Sequence, residues 1–221
     1  MNISTRGFLR AVFAHETKVV LGLWLAVVIS LEVILVIAMS TPAQTLAALD
    51  RFPAAAGELH RAGRPTLVLF AHPKCPCTSA SIEELARVMA HINGQVDAYV
   101  FFLRPDGVGP GWEKTSQWYD AASIPGVIVA CDEQGKLAAT FQASTSGATF
   151  LYDGSGRLIF SGGITSARGH AGDNDGSDAI LAAVLDNCQK SKCTNIFGCT
   201  LLDGANETVW KHDSSRLSRR E

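Results

Sequence analysis

Two cysteines one residue apart, Cys75 and Cys77, lie in the stretch AHPKCPCTSAS, residues 71–81. Paired thiols do one of three things: they exchange electrons through a disulfide, they hold a soft metal ion, or they pack in a core. Free cysteine is often buried. Here, however, Pro73, Lys74, Pro76 and Thr78 crowd the pair where an apolar run gives way to a helical pattern. A loop at such a junction faces solvent, which favours reactive chemistry over packing.

A thiol at a helix start feels the partial positive charge of unpaired backbone N–H groups, which favours thiolate. Lys74 is placed to add to this, as is His72 when protonated. Cys75 is therefore expected to attack and Cys77 to resolve the mixed disulfide. A disulfide across C-x-C closes a smaller ring than across C-x-x-C, so strain should make it easy to reduce. Pro76 stiffens the turn and withholds one donor.

Metal is the rival use. Two sulfurs plus a nitrogen from His72 or His170 suit Cu(I). Taken singly, each histidine has a structural reading, His72 as a strand-end residue bonded to backbone and His170 as a loop-ordering residue in ARGHAGDN. Cys188 and Cys193, in NCQKSKC, are near enough to bridge, and Cys131 lies in an apolar run and reads as core. The spacings match no familiar zinc module, and six cysteines allow 15 pairings. DNDGSD, residues 173–178, lacks the closing Glu of a calcium loop and reads as a helix-capping loop.

The elements that must position the pair follow from the apolar pattern. PTLVLFAH (65–72) is a buried strand ending at the motif, and Ile82, Leu85, Ala86, Met89 and Ile92 recur at helical spacing after it. VDAYVFFL (96–103) is a second strand, 113–122 a helix, and GVIVACD (126–132) a third strand. ATFLYDGSGRLIFSGGI (148–164) is a hairpin turning at Asp153–Gly156, and 178–188 is a helix capped by Ser177 or Asp178. Trp112, Trp118 and Tyr119 surround a glycine-rich loop and read as core aromatics. The order predicts an α/β domain, a central mixed sheet flanked by helices, with the cysteines at the C-terminal end of a central strand.

Residues 19–39, VVLGLWLAVVISLEVILVIAM, are long and apolar enough to cross a bilayer, with Glu32 their one charge. Arg6, Arg10 and Lys18 precede them, and no basic residue follows before Arg51, so the N-terminus is expected in the cytoplasm and the rest outside it. A cleaved signal is the alternative, but its apolar region is usually shorter. Residues 1–18 then form a cytoplasmic N-terminus, 40–64 an Ala/Pro/Gly-rich tether, 65–190 the domain and 191–221 a cysteine-containing extension. In an oxidising compartment the cysteines lean toward redox use. With 19 basic against 21 acidic residues, nothing favours a nucleic-acid partner.

The stretch LVLFAHPKCPCTSASIEELARVMA and the hairpin TFLYDGSGRLIFSGG resemble the thioredoxin superfamily, in its membrane-anchored TlpA/ResA type. HPKCPCT, IPGV, TSGATFLYD, SGGITSARGHAGDN and FGC together look like the RedB group of that superfamily. The resemblance implies a thioredoxin-like fold and a periplasmic thiol–disulfide oxidoreductase that needs no cofactor. Its partner would be a protein carrying a disulfide, a dithiol or a metal site. It also implies that Cys199, in FGC, folds back toward the active turn as a third thiol. Two departures stand out. The usual C-x-x-C is C-x-C here, and the proline that precedes the hairpin in that superfamily is replaced by Gly147, which leaves room at the sulfurs. Thioredoxin-fold copper proteins of the Sco type keep the copper-delivery alternative open, though with C-x-x-x-C spacing.

Overall fold

The structure, a computed structural model, describes residues 4–43, 45–186 and 191–201. The chain divides into two compact units, Met1–Thr41 and Pro42–Glu221. The first is one helix, α1 (Ser4–Ser40), whose segment Thr17–Ser40 has mean hydropathy 2.8 and is long and apolar enough to cross a membrane. At about 1.5 Å per residue those 24 residues outreach a hydrocarbon core of about 30 Å.

In the second unit β1 (Thr66–Ala71) runs through the middle of a six-stranded sheet of order β3-β2-β1-β4-β5-β6. It pairs in parallel with β2 (Asp97–Arg104), which pairs in parallel with β3 (Val127–Glu133). On its other side β4 (Thr149–Tyr152) is antiparallel and forms the hairpin with β5 (Leu158–Gly162). The short β6 (Lys192–Cys193) closes the edge. This mixed sheet with helices on both faces is what the element order predicts, and it is the thioredoxin-like fold that the resemblance implies.

Every residue of β1 is buried, as a strand covered on both faces must be. On one face Leu67, Leu69 and Ala71 pack with α2 (Pro76–Ile92), α3 (Ser116–Ala122) and α5 (Asp175–Leu185). On the other, Val68 and Phe70 pack with Phe141, Phe150 and Tyr152, with α4 (Lys136–Thr140), and with Ile196 and Leu201 from the C-terminal segment. The hairpin turns where Asp153 Oδ1 accepts from the N–H groups of Ser155 (2.8 Å) and Arg157 (3.0 Å).

Four expectations are corrected. Residues 42–64 are no free tether. Ala54–Leu59 is a 3-10 helix with Ala56 buried, and Phe52 stacks on His60 and meets Phe141 and Tyr152 edge-on. The apolar Phe52 and Ala56, hidden among small and polar residues, carry that packing. The last long helix starts three residues before the expected 178, and its cap is Asn174, whose Oδ1 accepts from Gly176 N (3.0 Å) and Ser177 N (2.8 Å). Its expected end at Cys188 lies outside the described residues, as does any Cys188–Cys193 bridge; Cys193 is exposed with a free thiol. Finally, Cys131 is half-buried rather than core, because β3 is an edge strand whose neighbour Ile128 is also exposed.

Candidate active site

Cys75 is the last residue before α2, with extended backbone (φ −85°, ψ 121°), and Pro76 takes the first helical position. A proline suits that place because the N–H it lacks would go unpaired there. The start of α2 is tied to two other elements by a knot of hydroxyls. Thr78 Oγ1 donates to His72 O (3.0 Å) and shares a hydrogen bond with Ser146 Oγ (2.9 Å), which accepts from His72 N (2.9 Å). Gln117 of α3 donates to Cys75 O (2.9 Å) and Ser79 Oγ (3.1 Å), and Thr115 Oγ1 donates to Pro73 O (3.1 Å).

The C-terminal segment folds over this turn as a strap. Its backbone runs antiparallel to residues 144–146: Ser146 N donates to Cys199 O (2.8 Å), Leu201 N donates to Ser144 O (2.9 Å), and Thr145 pairs with Thr200. Arg168 Nη1 donates to Gly198 O (2.6 Å). The result sets Cys199 Sγ 3.0 Å from Cys75 Sγ across 124 residues of sequence. Cys77, two residues on, is near enough to Cys75 for the charge on one to bear on the other.

The three thiols differ in access and acidity. Cys75 is only 1% exposed, Cys77 is half-buried and Cys199 is exposed. Burial pushes the Cys75 thiol up, but hydrogen bonds from the side chain and N–H of Cys199 and from the N–H groups of Cys77 and Thr78 outweigh it and hold the thiol below its ordinary value. Burial, then the neighbouring Cys75 charge, raises Cys77, against Arg168 and the Gly169 N–H. Burial and its bond to Cys75 push Cys199 up to about 11, again against Arg168. The arrangement thus favours ionisation at the covered Cys75 over its two neighbours.

The charge expected from Lys74 is directed elsewhere, since its ammonium sits 4.4 Å from the centre of the Trp112 ring. The His72 ring packs edge-on against Trp112 at 5.8 Å, and its Nδ1 accepts from Lys74 N (3.1 Å). Trp118 packs on Phe102 while Tyr119 is exposed. His170 is exposed, on a loop that its own N–H closes onto Ala167 O (3.2 Å). The described residues include no group of three or more His, Cys, Asp or Glu side chains arranged to hold a metal ion. Gly147 has φ +91° and donates its N–H to Phe70 O (2.7 Å), beside the Cys75 turn.

Sequence reasoning missed Ser146, Gln117 and Arg168. Arg168 lies inside a quoted motif, but nothing in its spacing ties it to the cysteines. Arg168, Thr145, Gly198, Cys199, Thr200 and Ala43 line an open cleft of about 410 Å³ beside the exposed sulfur.

No protein-family model and no curated protein matches the chain. Among solved structures it is similar to an uncharacterised conserved protein from Geobacillus kaustophilus, at 16% identity and TM-score 0.54, covering 74% of this chain and 92% of that one. A hypothetical protein from Sinorhizobium meliloti 1021 has 20% identity and TM-score 0.54, covering 73% and 93%. A secreted Mycobacterium tuberculosis disulfide oxidoreductase homologous to E. coli DsbE has 20% identity and TM-score 0.41, covering 57% and 83%. At these identities the likeness to the first two speaks for the fold alone.

Proposed function

We propose that this chain is a membrane-anchored, extracytoplasmic thiol–disulfide oxidoreductase of the RedB kind, exchanging electrons with a disulfide or dithiol of a partner protein. One observation carries the reading: the buried Cys75 sulfur sits at the start of α2 with the Cys199 sulfur 3.0 Å away, in surroundings that hold its thiol below the ordinary value. A thiolate is the species that attacks a disulfide and also the better leaving group when a disulfide is opened. Cys75 is the sulfur that interacts with both Cys77 and Cys199, so it is the redox centre. The anchor is α1, and the Arg6, Arg10 and Lys18 bias favours the N-terminus inside. No cofactor is required for this chemistry.

The test uses the full-length chain in detergent, equilibrated across ratios of reduced to oxidised glutathione and in parallel titrated with Cu(I) against a competing chelator. The expected result is a reversible two-electron titration that disappears in Cys75→Ala. Tight, stoichiometric Cu(I) binding abolished by Cys77→Ser, with no reversible disulfide, would turn the assignment to copper delivery.

A further inference from the structure

Resting on the exchange reading above, we infer that the working disulfide joins Cys75 to Cys199 of the C-terminal strap, and that the partner's thiol attacks the Cys199 sulfur. Three observations carry this. The two sulfurs stand 3.0 Å apart before any bond forms. Only Cys199 of the three thiols is exposed, and it borders an open cleft with Arg168. And the strap is docked rather than draped. Ile196 and Leu201 are buried in the core on either side of Cys199, Gly198 packs against Ser146 O so closely that no side chain fits there, and main-chain bonds fix Cys199 O and Leu201 N.

A partner thiolate bonds to Cys199 Sγ while the Cys75–Cys199 bond breaks, and Cys75 keeps the electron pair as a thiolate held by the N–H groups at the start of α2. The partner's second thiolate then attacks the partner's own first sulfur, forming its disulfide and expelling Cys199, which takes a proton from water. The partner dithiol is oxidised by two electrons and the Cys75/Cys199 pair is reduced by two. The reverse passes through the same mixed disulfide, with a partner disulfide as oxidant. Selectivity follows from access and leaving-group acidity together: the attacked sulfur is the one solvent reaches, and the departing sulfur is the one whose thiol is most acidic. Arg168, whose charge favours the ionised forms of Cys77 and Cys199, steadies the thiolate that Cys199 becomes on expulsion.

Peptide mapping decides the pairing. Trypsin releases residues 75–87, which hold Cys75 and Cys77, and residues 193–211, which hold Cys199. In full-length protein carrying Cys193→Ser, oxidised in a glutathione buffer and quenched with acid, the expected product is 75–87 linked to 193–211. The link should persist in Cys77→Ser and vanish in Cys75→Ser. A brief pulse of reduced glutathione should leave the trapped glutathione on 193–211. A reversible disulfide confined within 75–87, or glutathione trapped on 75–87, would overturn the inference while leaving the exchange reading intact. Absence of any reversible disulfide would sink both.

Discussion

Replacing Gly198 with alanine tests how the strap controls Cys75. A Cβ there would lie 1.9 Å from Ser146 O, 3.0 Å from the Ser146 carbonyl carbon and 3.2 Å from Thr145 Cγ2, against an ordinary contact of 3.4 Å or more. The nearest obstacle is the Ser146 carbonyl, which is backbone, so no rotamer change relieves it. The strap must retreat by roughly 1.5 Å, which is enough to open the 3.0 Å sulfur contact to about 4.5 Å, outside hydrogen-bonding range. Cys75 then loses the Cys199 thiol and N–H while keeping the Cys77 and Thr78 N–H groups. Hydrogen bonds to a charged acceptor stabilise the thiolate, so losing both that Cys199 provides should move the Cys75 pKa up. The assay is iodoacetamide alkylation against pH, read on peptide 75–87 by mass spectrometry in a Cys77→Ser background. The midpoint should move up in Gly198→Ala while the maximal rate increases, because Cys75 is uncovered. An unchanged midpoint in a folded variant would refute the view that the strap sets the acidity of Cys75.

Asn174→Ala removes the cap of α5 and a donor to Glu84, which is buried and also bound by Arg87, Gly172 N and Ser177. A lost cap costs about 1 kcal/mol and an underpaired buried acceptor about 1–3 kcal/mol, so urea unfolding should show a loss of about 2–4 kcal/mol at unchanged slope. Asp97 is buried between Arg61 and Arg64, and the Arg61 hydrogen bond holds its carboxyl below the ordinary 3.8. Its contribution is therefore complete above that value and lost as pH falls through the lower folded pKa. Thermal melts from pH 5 downward should lose less stability in Asp97→Asn than in wild type, and parallel acid limbs would contradict this. Phe141→Ala deletes a fully buried ring touching Phe52, Phe70, Phe150 and Tyr152, and should cost about 3–5 kcal/mol and speed proteolysis within residues 42–64.

The strands and the helix after the motif are legible because their signals are local. An apolar run such as TLVLFA has nowhere to go but a buried strand, and the Ile82–Leu85–Met89–Ile92 spacing fixes one face of α2. Boundaries moved where a side chain chose between two partners. Asn174 outcompetes Ser177 as a cap because it satisfies two N–H groups and Glu84 at once. Residues 42–64 misled because composition alone reads as linker, while two edge-on aromatic contacts of Phe52 with residues far along the chain, Phe141 and Tyr152, decide the matter. Lys74 misled for a similar reason: adjacency in sequence to Cys75 did not anticipate the Trp112 ring, 38 residues on, that takes its charge. The meeting of Cys75 with Cys199 is likewise a product of tertiary pairing, and only the resemblance carried by FGC pointed to it.

The identity of residue 147 explains why the strap can be there. A proline at that position would hold φ near −65° and carry no N–H, whereas Gly147 has φ +91° and gives its N–H to Phe70 O. The left-handed turn brings Ser146 round so that its hydroxyl serves His72 and Thr78 while its N–H takes Cys199 O. Residues 144–146 thereby offer a short main-chain edge beside the thiols, and the chain fills that edge with its own residues 199–201. A partner peptide that sought to pair there would have to displace a segment whose Ile196 and Leu201 are buried. The chemistry therefore has a less hindered path through Cys199, the exposed thiol of the three at the site. The same pairing gives Cys75 a second partner besides Cys77, so a disulfide does not depend on the three-residue ring of C-x-C. Absence of the proline and presence of the third thiol are in this sense one structural choice, made at Gly147 and completed at Gly198.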